Sequence, residues 1–97
     1  MRNGAAAERA GDLVRARSEY TNAAGLGAPG AAAKADQMRA LLIGRYSVSA
    51  RSALARQDLD GSIANWQHVL DLDPDNSTAR LEIERARALK EKLKSVK

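Results

Sequence analysis

Apolar residues recur along this chain at helical spacing, with no stretch of alternation long enough for a strand. Leu59, Ile63, Trp66 and Leu70 lie at i, i+4, i+7 and i+11 and form one stripe. Asp58 precedes them as an N-cap, and the carboxylate of Asp60 suits the positive end of the helix dipole. Pro74 disfavours helical geometry at Asp73, so this helix stops there. A last helix opens at Asn76 or Ser77, with Ile83, Ala86, Leu89, Leu93 and Val96 as its buried stripe. Arg80–Glu84, Glu82–Arg85 and Glu84–Arg87 dress its outer side at i, i+4 and i, i+3 spacing.

The same grammar appears upstream. Asp12 caps a helix striped by Leu13, Ala16, Tyr20 and Ala23, and the connector "GLGAPG" at 25–30 ends it. A short Ala-rich helix over 5–10 comes before. Between the connector and Asp58, one apolar face stays in phase through Ala35, Met38, Leu42, Tyr46, Ala50, Ala53 and Leu54. A single helix over 31–56 fits this pattern, with Gly44 its weak point; two helices hinged at Gly44 are the alternative. The fold class is therefore all-α, about five helices, with an elongated central helix and a C-terminal capping helix.

Composition sharpens this picture. Twenty Ala, no Phe and three aromatics (Tyr20, Tyr46, Trp66) suit helices that approach closely, and 97 residues suffice for one small domain. The absence of Cys removes disulfides, thiolate nucleophiles and Cys-ligated metal sites. It leaves cytoplasm and periplasm equally open to a soluble chain. The longest apolar run, Leu41-Leu42-Ile43, falls far short of the ~20 residues that span a bilayer. The N-terminus lacks the apolar core of a signal peptide. The chain reads as bacterial in style and as a piece of a larger protein.

The net charge of +4 is unevenly spread. Residues 58–76 hold five Asp and no cation, whereas 77–97 hold seven Lys and Arg against three Glu. Such asymmetry can orient a partner or a second copy.

The two capped helices align around their aspartates. Asp12 matches Asp58, Leu13 matches Leu59, Ala16 matches Ser62, Tyr20 matches Trp66 and Ala23 matches Val69. A small residue, three spacers, an aromatic and an apolar residue three later resembles the second helix of a tetratricopeptide repeat. Tyr46, Ala50, Ser62, Trp66 and Pro74 fall at the family's spacing for its first aromatic, two small residues, large aromatic and terminal Pro. "LDLDPDN" looks like the family's repeat ending. The resemblance implies a truncated first repeat over 5–24, a second repeat over 46–76 and a capping helix over 77–95, within one domain over 1–97. Ser49, Ala53 and Ser62 depart from the pattern's Leu, Tyr and Ala. The capping aspartates stand 46 residues apart, against the roughly 34 of a standard repeat. The extra residues lie in the long helix.

The resemblance implies a protein-interaction scaffold without catalysis or cofactor. It places Arg51 and Leu54 of the long helix, and Leu81 and Arg85 of the last helix, on the groove-side face. The planar fork of Arg suits carboxylates, which makes an acidic peptide or a chain terminus the fitting partner. The family's Asn-containing carboxylate clamp is not reproduced, since Val48 and Arg51 stand where it needs Asn. Self-association through apolar surface left open by the truncated first hairpin is a second expectation.

Other chemistry is thinner. Asp71, Asp73, Asp75 and Glu82 occupy the first, third, fifth and twelfth places of a calcium loop, but Asn76 replaces the turn-forming Gly and Pro74 stiffens the middle. No metal is expected there. His68 is the only His, and no Ser or Asp cluster is assigned to it. "GLGAPG" follows a helix and lacks the Lys of a phosphate loop. Nucleic-acid binding by a basic helical domain is the alternative function. It is set back by acids interleaved among the sixteen Lys and Arg and by too few aromatics to stack bases.

Overall fold

In the computed structural model, residues 1–95 are described. They form five α-helices: α1 (Arg2–Arg9), α2 (Leu13–Gly25), α3 (Ala31–Ala55), α4 (Leu59–Leu72) and α5 (Ser77–Ser95). No strand occurs among the described residues, and successive helices pack antiparallel. The chain divides into two compact units, Met1–Leu42 and Ile43–Lys97. None of the described helices is long and apolar enough to cross a membrane.

The first unit is built on small residues. α1 packs on α2, with Gly4 and Ala7 of α1 and Leu13, Ala16, Tyr20 and Ala23 of α2 buried. Ala31, Met38 and Leu42 of α3 are buried as well. A β-carbon at Gly4 would meet Tyr20 ring carbons at 2.7 Å, so glycine lets the ring lie flat against α1. α1 begins three residues earlier than the Ala-rich pattern suggests.

The second unit uses the same arrangement with a larger aromatic. Ala50, Trp66, Val69, Ala79 and Ile83 form the buried cluster, flanked by Ile43, Tyr46, Ile63 and Leu70. The buried line of α4 is Ser62, Trp66 and Val69. The stripe Leu59, Ile63 and Leu70 runs along its edge, half-buried. The reason lies in size: a close helix approach puts the small residue and the aromatic at the contact, and pushes the bulky aliphatics to its margins.

The two hairpin turns are copies of one another. Asp12 has φ −87° and ψ 83°, and Asp58 has φ −89° and ψ 83°. The Asp12 carboxylate accepts from the Arg15 N–H at 3.1 Å, and that of Asp58 from the Gly61 N–H at 2.9 Å. The Asp12 N–H donates to Ala7 O at 2.9 Å, and the Asp58 N–H to Ala53 O at 2.8 Å. The residue before each aspartate is left-handed: Gly11 at φ 79° and Gln57 at φ 63°.

α3 is one helix through Gly44, which selects the continuous alternative. Gly44 is exposed, and a β-carbon there would meet nothing within 4 Å. Gly44→Ala should therefore stabilise the chain by about 0.5–1 kcal/mol, because Gly loses more backbone entropy on folding. A higher denaturation midpoint with an unchanged slope is the expected reading. A lower midpoint would mean that the helix interior here needs glycine.

α5 departs from its expected stripe. Ala79, Ile83 and Ala86 are buried, but Leu89 and Leu93 are 42% and 55% exposed. No neighbouring helix covers them in the second unit's packing, although their spacing is that of a core face. Val96 lies outside the described residues. Asn76 is the cap, accepting from the Ala79 N–H at 2.9 Å. Of the surface pairs, Glu82–Arg85 closes at 3.1 Å, while Arg80 turns back to donate to the Pro74 carbonyl at 2.6 Å.

Candidate interaction surface

The residues assigned to a groove fall into different surroundings. Arg51 is exposed, yet its guanidinium lies 5.3 Å from the Trp66 ring centroid. Trp66 beneath it is 2% exposed. The cation therefore closes the outer face of the aromatic, an arrangement worth ~0.5–1 kcal/mol at an exposed site. Arg85 is held by Glu82 on its own helix. Leu81 is 45% exposed and Leu54 40%.

The structure groups Leu54 with residues that the spacing alone placed in the core. Leu54 at the end of α3, Gln57 in the turn, Leu59 at the start of α4, and Leu89 and Leu93 of α5 line one open cleft of about 310 Å³. Four leucines make its walls, and Gln57 supplies the polar side chain. Nearby, Lys90 of α5 forms a surface ion pair with Asp60 of α4 at 2.6 Å. Leu89 and Leu93 went unrecognised as surface because periodicity marks which face is apolar, not whether anything covers it. A legible signal was the density of Lys around them, at 90, 92 and 94.

The acidic turn is occupied by its own contacts. The His68 imidazole sits 4.0 Å from the Asp71 carboxylate and stacks on Tyr46 at 4.7 Å between centroids. The Asn76 amide donates to Asp73 at 3.3 Å while its oxygen caps α5. Among the described residues, no group of three or more acidic, His or Cys side chains converges as metal ligands would. The remaining structural positions keep the places described above: Ala16, Tyr20, Ala50, Ser62 and Trp66 are buried, Tyr46 is half-buried, and Pro74 is exposed in the turn.

The first unit has a cleft of about 570 Å³ lined by Met1, Arg2, Ala5, Glu8, Arg9, Tyr20 and Lys34. The Tyr20 hydroxyl donates to Glu8 at 2.8 Å, and Lys34 lies 3.9 Å from the same carboxylate. The bond to Glu8, helped by burial, raises the Tyr20 phenol above its ordinary value of 10.0. Folding thus favours the neutral phenol. Its contribution is complete below pH 10.0 and is lost as the pH rises through the raised value. The melting temperature should fall on alkaline titration, and Tyr20→Phe should flatten that fall. An identical alkaline slope in the variant would show that Tyr20 does not titrate on unfolding.

No protein-family model matches the chain, and no curated protein and no solved structure matches it significantly.

Proposed function

We propose that this chain is a tetratricopeptide-like interaction scaffold that binds a protein or peptide through the exposed sides of α3 and α5. The observation that carries the reading is the repetition of one hairpin turn 46 residues apart, with a small residue under an aromatic in each copy. Repeat hairpins of this kind bury faces against their neighbours, and the last helix closes the stack. In this reading α1 and α2 form the truncated first repeat, the second half of α3 pairs with α4 as the second, and α5 is the cap.

The exposed side chains support a protein partner. Leu54, Leu81, Leu89 and Leu93 are large apolar residues held in water at 40–55% exposure. Arg51 and Arg85 stand beside them on the same helices, and an acidic peptide or chain terminus offers what their forked guanidinium groups recognise. The reading needs neither catalysis nor a cofactor. Nucleic acid fits less well, because Tyr20 and Trp66 are buried and have no free face for a base.

The test uses the folded chain, immobilised, with the variants Arg51→Glu and Arg85→Glu checked by circular dichroism. Loss of captured protein in either variant, with the fold intact, supports the groove. If both substitutions leave partner affinity untouched, the assignment of Arg51 and Arg85 is wrong. Sedimentation of the same samples reads self-association.

A further inference from the structure

We propose that the leucine cleft of the second unit is a docking site for an acidic amphipathic helix of another protein, an inference that rests on the scaffold reading and names its partner. The cleft is lined by Leu54, Gln57, Leu59, Leu89 and Leu93. Three observations point to this occupant.

The first is shape and chemistry. Leu89 and Leu93 lie one turn apart on α5, and Leu54 and Leu59 face them from the ends of α3 and α4 across an open trough. A trough between helices takes the apolar stripe of another helix, read as anchors at i, i+3, i+4 and i+7.

The second is charge. Residues 87–95 of α5 carry Arg87, Lys90, Lys92 and Lys94 against Glu91 alone. Lys90 is engaged with Asp60, and Lys94 lies 3.7 Å from Glu91. Lys92 has no ion pair with another described residue, and it stands three residues after Leu89, beside the stripe on its solvent side. Like charges brought together at an interface are costly. Two copies meeting through this stripe would set one basic stretch against another. An acidic helix meets the opposite sign.

The third is Gln57. The equivalent position of the other turn is Gly11, and both are left-handed, at φ 63° and 79°. A side chain at this conformation is strained relative to glycine. Strain of this kind gathers at functional sites. Gln57 places an amide in the cleft, with no side-chain hydrogen bond to another described residue. That amide is free to bond a carboxylate or backbone group of the incoming helix.

The probe is a fluorescein-labelled synthetic helix with Leu at i, i+4, i+7 and i+11 and Glu on its remaining faces, titrated by anisotropy. Its counterpart carries Lys in place of every Glu. The wild-type chain should bind the acidic helix at least about tenfold more tightly than the basic one. Leu89→Asp, Leu93→Asp and Lys92→Glu alter exposed positions and should keep the helical content, yet each should weaken binding by about tenfold or more. Gln57→Gly should leave the fold intact and still weaken binding, a loss that a purely structural glutamine would not give. Equal binding of both helices overturns the proposal, as does binding indifferent to Leu89→Asp and Leu93→Asp. Binding that is lost only in Arg51→Glu and Arg85→Glu moves the site to the groove face; it overturns this cleft and leaves the scaffold reading standing. A wild-type dimer that Leu89→Asp converts to monomer makes a second copy the occupant and also overturns it. Failure of the wild type to bind either helix removes the cleft, while the scaffold reading stands or falls on protein capture by the immobilised chain.

Discussion

Trp66→Ala should cost ~3–5 kcal/mol of stability, the largest effect of any single substitution in the second unit. The side chain is 2% exposed and sits in one cluster with Ala50, Val69, Ala79 and Ile83, so its removal opens a cavity that three helices share. Ala50 and Ala79 have no further atoms with which to fill the space. The loss also strips the ring from under Arg51, whose guanidinium lies 5.3 Å from its centroid. A domain of this size is stable by only ~5–15 kcal/mol, so the variant should lose a large share of its stability. Chemical denaturation of Trp66→Ala beside Trp66→Phe measures this, and Phe should recover much of the loss by keeping the volume. Native fluorescence of the wild type should be that of a buried indole. An emission typical of Trp in water, or a loss below about 1 kcal/mol, would place the ring outside the core.

Gly4→Ala should destabilise the chain by ~1–3 kcal/mol, although Ala is the better helix former. The new β-carbon would lie 2.7 Å from Cδ1 and Cε1 of Tyr20 and 3.0 Å from its Cγ. The ring cannot step aside easily, because it is 2% exposed and its hydroxyl is tied to Glu8 at 2.8 Å. Gly44→Ala is the matched control: the same substitution in a helix with open space around it should raise stability. Thermal melts of the two variants should move in opposite directions. A rise in both would mean that α1 does not press on Tyr20.

Position 50 shows the same contact solved with another pair. Ala50 stands 46 residues after Gly4, as Trp66 stands 46 after Tyr20. There the small residue is Ala, wholly buried in the cluster with Trp66. The two units thus pair a small residue with an aromatic at the same register, Gly4 against Tyr20 in one and Ala50 in one buried cluster with Trp66 in the other.

Local rules made much of this legible in the sequence. Asp12 and Asp58 announce their helices because a capping carboxylate needs only the backbone three residues on. Pro74 and the "GLGAPG" connector mark the ends for equally local reasons. The apolar face of 31–56 holds one phase, but an exposed Gly44 left a hinge open, and only the structure shows one continuous helix. The surface was harder to read. Leu89 and Leu93 have the spacing of a core, and only the number of helices packed against α5 shows that they are uncovered. The stacking of Arg51 on Trp66 was not legible, because the two stand fifteen residues apart on different helices. The left-handed turn at Gln57 was hidden because most residues that adopt it are Gly, Asn or Asp.

Whether the chain holds proteins or nucleic acid is read by comparing what it retains at about 0.15 M salt from extract with and without nuclease treatment, alongside titration of a labelled DNA duplex and an RNA strand. A protein scaffold predicts that specific proteins are recovered equally with and without nuclease, and that the nucleic acids bind only weakly at that salt concentration. Proteins lost on nuclease treatment, together with nucleic-acid binding whose logarithm falls linearly with the logarithm of salt concentration, would contradict it and make the chain a basic nucleic-acid-binding domain.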